Sequence, residues 1–206
     1  MVVPSLYIGG MRAGKRLRKR YGLARRARRG GLLNGTARRG ARERKKRMAD
    51  NPLLAAALAY AARGWHVFPC VPGGKAPLGK LVPHGLKDAT TNADTIRAWW
   101  AAVPTANVAV ATGRSNLIVV DCEGPEGIAA FVNWADAHDV ALADVPCATT
   151  PRTQGRHYYF RAAAPPDLSV GPTSFVMFND AGKGIVEIRD NESYVIAPPS
   201  TFYEKA

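Results

Sequence analysis

Two carboxylates follow a short apolar run near the middle of the chain. In LIVVDCEG, the run that starts at Leu117 predicts a buried strand with Asp121 and Glu123 at its end. Because side chains alternate along a strand, the two acids share one face and Cys122 points to the other. Paired oxygen ligands on one face are what Mg²⁺ or Mn²⁺ requires. Taken alone, such a triplet is much more often a pair of solvated surface acids than a metal site, and replacing such acids would cost little stability.

A second polar segment, TTPRTQGRHYYFRA, predicts a strand that follows a glycine-containing turn. Alternation places His157 and Arg161 on one face of this strand and Tyr158 on the other. Two guanidinium groups, Arg152 and Arg156, precede the histidine. Arginine matches phosphate oxygens through paired hydrogen bonds, and histidine can donate to a phosphate or carry a proton. Viewed by itself, a histidine in a strand is more often structural.

A third segment, GIVEIRDNESYVIAPPS, predicts a strand, a turn and a returning strand. Glu187 and Arg189 fall on one face of the first strand, and Val186 and Ile188 fall on the other. By itself the segment is typical of an ordinary hairpin with a polar outer side.

The three segments acquire a chemical interpretation when they are taken together. Each has an apolar face for a core and a polar face with groups suited to metal or phosphate. On neighbouring strands they would build a metal site beside a triphosphate pocket. In two-metal chemistry the ions lie about 3.5–4 Å apart and stabilise both the attacking and the leaving oxygen. The combination therefore favours nucleotidyl transfer.

A sheet with flanking helices must position these groups. Helices are predicted from an N-cap at Asp50 or Asn51 to Gly64, over Ala93 to Ala102, and from Glu126 to His138. Strands are predicted in WHVFP, at Asn107 to Ala111, Leu117 to Asp121, near Cys147, and at His157 to Arg161, Phe175 to Phe178, Ile185 to Arg189 and Tyr194 to Ala197. Helices alternate with strands early and strands dominate late, which predicts an α/β or α+β domain of about 155 residues, spanning 50–206.

Positive charge is concentrated at the start of the chain. Residues 1–49 hold 17 of the 29 Lys and Arg residues and one acid, Glu43, whereas the rest of the chain is mildly acidic. Sparse apolar residues and frequent glycines predict a disordered arm there. Such an arm can add salt-sensitive affinity for nucleic acid or be a plain solvated tail. As a third alternative, Met48 is the true start and the arm is translated upstream sequence.

Composition excludes several classes of protein. Three scattered cysteines do not predict a disulfide framework or a four-cysteine zinc site. No segment approaches the roughly 20 apolar residues of a membrane span, and the N-terminus lacks the order of a signal peptide. We therefore expect a soluble, cytoplasmic protein without membrane contact.

The ordered motifs resemble a known family. RGWHVFPCVPGGKAP, WW with PTANVAVATG, LIVVDCEG, TPRTQGRHYYF and EIRDNESYVIAPPS are together similar to the bifunctional DNA primase/polymerase domain of the archaeo-eukaryotic primase superfamily, over about Leu53 to Tyr203. The resemblance implies an α+β fold in which an RRM-like catalytic sheet packs with a smaller α/β module. It also implies synthesis of DNA or RNA strands from nucleoside triphosphates with Mg²⁺ or Mn²⁺.

The resemblance assigns roles residue by residue. Asp121, Glu123 and Glu187 match the metal-binding acids, and His157 matches the histidine that contacts the incoming phosphates. Lys75, in GGKAP, matches a basic position near the start of the domain. The expected nucleotide-binding residues are His157, Arg152, Arg156, Arg189 and Lys75, and the expected catalytic residues are Asp121, Glu123, His157 and Glu187.

Two departures from the family pattern stand out. The third acid is usually Asp, and Glu187 adds one methylene, which moves the carboxylate by about 1.5 Å. The chain also stops shortly after the PPS segment, where relatives often continue into a helicase module. The resemblance implies DNA template and primer and nucleoside triphosphates as partners. The chain is then expected to be either a free-standing primase/polymerase that uses a separate helicase or a truncated copy.

Two other classes of function compete with the nucleotidyltransferase. One is a non-catalytic nucleic-acid-binding module that keeps a primase-like fold, which Glu187 and the short C-terminus favour. The other is a metal-dependent nuclease, which would use the acids similarly but would not need His157 and Arg156 near a triphosphate. The leading prediction is a DNA primase/polymerase used in replication of a plasmid, phage or integrated element.

Overall fold

The computed structural model describes residues 39–40, 42–43, 50–150, 154–163 and 175–202. The predicted basic arm, apart from residues 39–40 and 42–43, lies outside the described residues, and so does Arg152.

Three α-helices within residues 50–202 match the predicted ones closely. They are α1 (Pro52–Ala62), α2 (Ala93–Ala102) and α3 (Gly124–Ala137). Asn51 caps α1, since its side-chain oxygen accepts from the Leu53 and Leu54 amides at 2.9 and 3.2 Å. Helix α3 begins two residues earlier than predicted, because Pro125 fits the first helical turn. No helix in the described part of the chain is both long and apolar enough to cross a membrane.

Eight strands in the described residues form two antiparallel sheets. The strands are β1 (Val67–Cys70), β2 (Asn107–Ala111), β3 (Leu117–Cys122), β4 (Cys147–Thr150), β5 (Gly155–Arg161), β6 (Phe175–Phe178), β7 (Gly184–Arg189) and β8 (Tyr194–Ala197). One sheet has the order β1-β2-β8, and the other has the order β4-β5-β3-β7-β6. Antiparallel sheets with helices confirm the α+β class.

The centre of the five-stranded sheet sets the register of the three polar segments. Strand β3 pairs with β5 on one side and with β7 on the other. In that register Asp121 lies opposite His157 on β5 and opposite Glu187 on β7. Three side chains that are far apart in the sequence thus occupy one row across the sheet.

Each face of this sheet packs against a different core. Phe131 of α3 packs against Tyr158 and Val186 on one face, as the predicted alternation requires. On the other face, Tyr159 belongs to the core that the three-stranded sheet shares with α1 and α2. The polar groups lie on the second face, at the end of β3 where this core stops. The fold therefore leaves one end of the sheet for a site.

Candidate active site

Asp121 is the central residue of the site. Only 6% of it is exposed, and its Oδ1 lies 3.3 Å from Nε2 of His157, its register partner. This burial corrects the sequence-based expectation of a surface acid that is cheap to replace. An unpaired carboxylate in such a position would carry a large desolvation cost, so its partners matter to stability as well as to chemistry.

His157 packs against the first of three aromatic rings that contact one another in a row. Its ring meets that of Tyr159 edge-on with centroids 6.2 Å apart. Trp65 stacks on Tyr159 at 5.7 Å and on Tyr60 at 5.3 Å. The Tyr60 hydroxyl then donates to the carbonyl of Pro198 at 2.8 Å. Among the described residues, Nδ1 of His157 has no hydrogen-bond partner, so packing against Tyr159 and the contact with Asp121 orient the imidazole.

Arg189 bridges the two carboxylates that face each other across β3 and β7. Its Nη2 lies 2.6 Å from Oε2 of Glu187, and its Nε lies 3.7 Å from Oδ2 of Asp121. Arg189 and Glu187 are two residues apart on β7, so both lie on its predicted polar face and their side chains are neighbours. The side chain of Arg189 is 29% exposed and lines a cavity.

These neighbours move the two acids in opposite directions. Burial alone would raise the pKa of Asp121, but the hydrogen bond and charge of His157, with the charges of Arg189 and Lys75, outweigh it and lower the pKa. Burial raises the pKa of Glu187, and the charges of Asp121 and Glu123 add to that effect against Arg189 and Lys75. Asp121 is therefore more firmly ionised than Glu187, although the two share one electrostatic field.

Glu123 reaches the site from a helix rather than from the strand. Strand β3 ends at Cys122, and Glu123 occupies the N-cap of α3 without capping it through its side chain. Its amide donates to the Ile185 carbonyl at 2.8 Å, and Gly124 follows with a φ of 66°. A positive φ suits glycine, so the chain can turn sharply out of the sheet here. The predicted shared face is thus replaced by a turn that still brings Glu123 to the same cavity as Asp121.

The polar groups line a cavity of about 420 Å³. Five of the predicted site residues are on its wall: Lys75, Asp121, Glu123, His157 and Arg189. Glu187 contacts Arg189 but is not itself part of the wall. Arg156 is not brought to the cavity, because its guanidinium lies over the Tyr158 ring and donates to the hydroxyl of that residue at 3.3 Å.

The wall also contains polar and aromatic residues that sequence reasoning missed. They include Thr149, Thr150, Glu192, Tyr194, Ser200 and Phe202. All of them except Phe202 lie within the segments quoted above, two in TTPRTQGRHYYFRA and three in GIVEIRDNESYVIAPPS, but sequence reasoning assigned them no role. Nothing in the local pattern of β4 marked its threonines, because register alone carries them to the site.

The three predicted acids fit a divalent cation in kind. Carboxylate oxygens are the ligands that Mg²⁺ and Mn²⁺ prefer. Burial is the main cause of the raised pKa of Glu187, and a cation would relieve the smaller part that comes from the charges of Asp121 and Glu123. In the part of the chain that the structure describes, however, no group of three or more His, Cys, Asp or Glu side chains is already gathered around one ion position. Arg189 supplies the positive charge between Asp121 and Glu187 instead.

The chain matches the model of a known protein family. A family model described as bifunctional DNA primase/polymerase, N-terminal, matches residues 57–206, which is well over half of the chain. No curated protein matches the chain. The matched range contains every residue of the cavity wall and the whole of both sheets.

Proposed function

The chain belongs to the family of bifunctional DNA primase/polymerase N-terminal domains, and from this membership we propose that its cavity catalyses template-directed nucleotidyl transfer. The reaction joins a nucleoside triphosphate to the 3′-hydroxyl of a primer and releases pyrophosphate. The observation that carries the proposal is the row of His157, Asp121 and Glu187 beside Arg189 and Lys75. Acids for a cation and bases for a triphosphate lie together at one end of the sheet.

In this proposal Asp121, Glu123 and Glu187 would hold Mg²⁺ or Mn²⁺. When bound, such a cation would supply electrostatic stabilisation of the attacking and leaving oxygens. Asp121 is suited to be the principal ligand, because its lowered pKa keeps it ionised. Glu187, with a raised pKa and a 2.6 Å contact to Arg189, is the weaker ligand.

The triphosphate is bound by His157, Lys75 and Arg189 on the cavity wall. Arginine and lysine neutralise phosphate charge, and His157 would donate to a phosphate oxygen through Nε2, in place of its contact with Asp121, because its Nδ1 is buried. Arg152 stays a sequence-based prediction for the same role. Arg156 is assigned no phosphate contact while it lies over Tyr158.

The wider setting follows from the family and the sequence. We propose that the protein acts in the cytoplasm on a DNA template and primer during replication of a plasmid, phage or integrated element. A separate helicase would open the duplex. A cavity of about 420 Å³ is within the range of roughly 300–1,000 Å³ that is typical of small-molecule sites, so one nucleotide can be accommodated.

Extension of a labelled primer by one nucleotide in the presence of Mn²⁺ tests the proposal. The wild type should extend the primer, and Glu123→Gln should abolish extension while folding is preserved. Glu123 is the cleanest position to change, because its side chain does not cap α3. Asp121→Asn should also abolish extension and, being isosteric, should disturb packing less than alanine. Full extension by Glu123→Gln and Asp121→Asn would contradict the assignment.

A non-catalytic nucleic-acid-binding module is the second candidate. The observation that favours it is the pairing of Arg189 with Glu187 and Asp121, which neutralises the acids without a metal. A binding module would raise the fluorescence anisotropy of a labelled primed template, but it would leave the length of the primer unchanged in Mn²⁺. The same samples of wild-type protein therefore distinguish the two functions.

A further inference from the structure

Asn107 is a buried amide at the start of β2 that joins two segments of the cavity wall. Only 1% of the residue is exposed. Its Nδ2 donates to the carbonyls of Gly74 at 3.0 Å and Thr201 at 2.7 Å, and its Oδ1 accepts from the Thr201 amide at 3.2 Å. Both amide hydrogens and the oxygen are thus used, which an apolar residue of the same size could not reproduce.

The two segments carry neighbouring residues of the cavity. Gly74 directly precedes Lys75, and Thr201 directly precedes Phe202. The Nζ of Lys75 lies 5.8 Å from the centroid of the Phe202 ring, within the range of a cation–π contact. The Tyr194 hydroxyl also donates to the carbonyl of Lys75 at 3.2 Å. The backbone of Lys75 is therefore held on both sides of its Cα.

We propose that Asn107 is a positioning residue for nucleotide binding, which fixes Lys75 and Phe202 as a pair so that the ammonium meets the phosphates of a nucleoside triphosphate. The inference rests on the proposed function, because it takes the triphosphate as the ligand of the cavity. Asn107 is absent from the cavity wall and acts only through the two segments that it joins.

The physical reason lies in the exposed, flexible side chain of Lys75. Ordering a lysine on binding costs side-chain entropy, and a mobile backbone beneath it would add to that cost. Hydrogen bonds to the carbonyls on both sides of Lys75 fix the backbone before the ligand binds, so that the entropy cost of ordering the backbone does not reduce the affinity. The ammonium meets the phosphates in the bound substrate as well as in the transition state, so its misplacement should weaken binding more than turnover.

A double-mutant cycle with Lys75 tests the proposal. The variants are Asn107→Ala, Lys75→Met and their combination, and the probe is a fluorescent mant-labelled deoxynucleoside triphosphate with Mn²⁺. Asn107→Ala should weaken binding about three- to tenfold. In the Lys75→Met background it should change the affinity less than about twofold, because its target is gone.

Asn51→Ala is the matched control for a general loss of stability. Asn51 is also a buried asparagine with three hydrogen bonds, to the Pro104 carbonyl and the Leu53 and Leu54 amides. It should lower Tm and leave nucleotide affinity within about twofold of the wild type. Equal losses of affinity in the Asn51 and Asn107 variants would overturn a positioning role.

Tyr194→Phe keeps the proposal testable where Asn107→Ala does not fold. It removes the bond to the Lys75 carbonyl and keeps the ring that packs edge-on against Phe68. It should weaken binding in the wild-type background and have no effect with Lys75→Met. The inference is overturned if the losses of affinity are additive in either cycle, or if the wild type binds no triphosphate. Tight binding without primer extension refutes the proposed polymerase alone.

Discussion

The guanidinium Nη2 of Arg189 lies 2.6 Å from Oε2 of Glu187, on the same face of the same strand. A half-buried acid of the site is thus neutralised by a base two residues later, and the same base reaches Asp121 through Nε. Because Nη2 and Nε face the two carboxylates, a triphosphate would be bound by the remaining N–H donors of the guanidinium, chiefly those of Nη1. The pair connects the charge state of the acids to ligand binding.

Replacing Arg189 with glutamine should weaken triphosphate binding about tenfold, because it removes a charge-assisted hydrogen bond. It should also raise the pKa of Glu187 further, since Arg189 at present opposes the effect of burial. Nucleotide titration measures the first effect, and carboxyl NMR over a pH series measures the second.

Arg97→Gln provides the control for loss of one salt bridge. Arg97 pairs with Asp94 at 3.0 Å on the exposed side of α2. Its replacement should change the free energy of unfolding by less than about 1 kcal/mol and leave nucleotide affinity unaltered. Equal affinity losses in the Arg97 and Arg189 variants would contradict a specific role for Arg189.

Acid should destabilise the wild type more than Asp121→Asn. The pKa of Asp121 is lowered in the folded state, despite burial, by His157, Arg189 and Lys75. The stability that its ionisation contributes is present above the unfolded value of about 3.9 and is lost as the pH falls through the lowered pKa. Urea unfolding at a series of pH values measures this difference.

The contribution of Glu187 to the free energy of unfolding changes with pH in the opposite direction. Its raised pKa means that the folded state holds the proton more tightly, so its contribution declines as pH rises from about 4.3 through the raised value. Because Asp121 helps to raise it, Asp121→Asn should bring the pKa of Glu187 down. The prediction for Asp121 fails if the free energies of unfolding of the wild type and of Asp121→Asn decrease equally as the pH is lowered, because the pKa of Asp121 would then not be lowered.

Gly155→Ala should disrupt the site through the backbone. A Cβ at Gly155 would overlap the Cys122 carbonyl oxygen and press on the Gly124 amide, where the chain turns towards Glu123. We expect the free energy of unfolding to fall by about 1–3 kcal/mol and extension to be abolished. Gly79→Ala is the control, because nothing lies within 4 Å of a Cβ there. Denaturant unfolding compares the two variants, and equal stabilities would refute the close approach.

Deletion of residues 1–47 tests the nucleic-acid tether. If the basic arm binds duplex DNA, the slope of log affinity against log salt should become shallower by about 0.9 for each phosphate that the arm neutralises. Anisotropy titrations of a labelled primer–template over a salt series measure the slope. Deletion of residues 1–11, which contain no Lys or Arg, should leave it unchanged. The same slope after both deletions would identify the arm as a solvated tail.

Most of the secondary structure was predictable because its signals are local. Asn51, Pro52 and Gly64 mark the ends of α1, and apolar alternation separates Tyr158 from His157 on β5. The α+β class and the polar segments of the cavity follow from the same patterns. The starts of helix α3 and strand β5 were both predicted two residues late, since the glycines at their first positions, Gly124 and Gly155, are unusual in helices and strands.

The amino-acid sequence by itself determined the elements, their apolar faces and the motifs of the family, since each depends on neighbours a few residues apart. Only the tertiary structure decided that Asp121 is buried between His157 and Glu187, because register between strands is set by packing along the whole sheet. It also placed Glu123 on a helix cap and turned Arg156 to the other face. Hydrogen bonds such as those from Asn107 to Gly74 and Thr201 join residues 33 and 94 positions apart, and no local pattern encodes them.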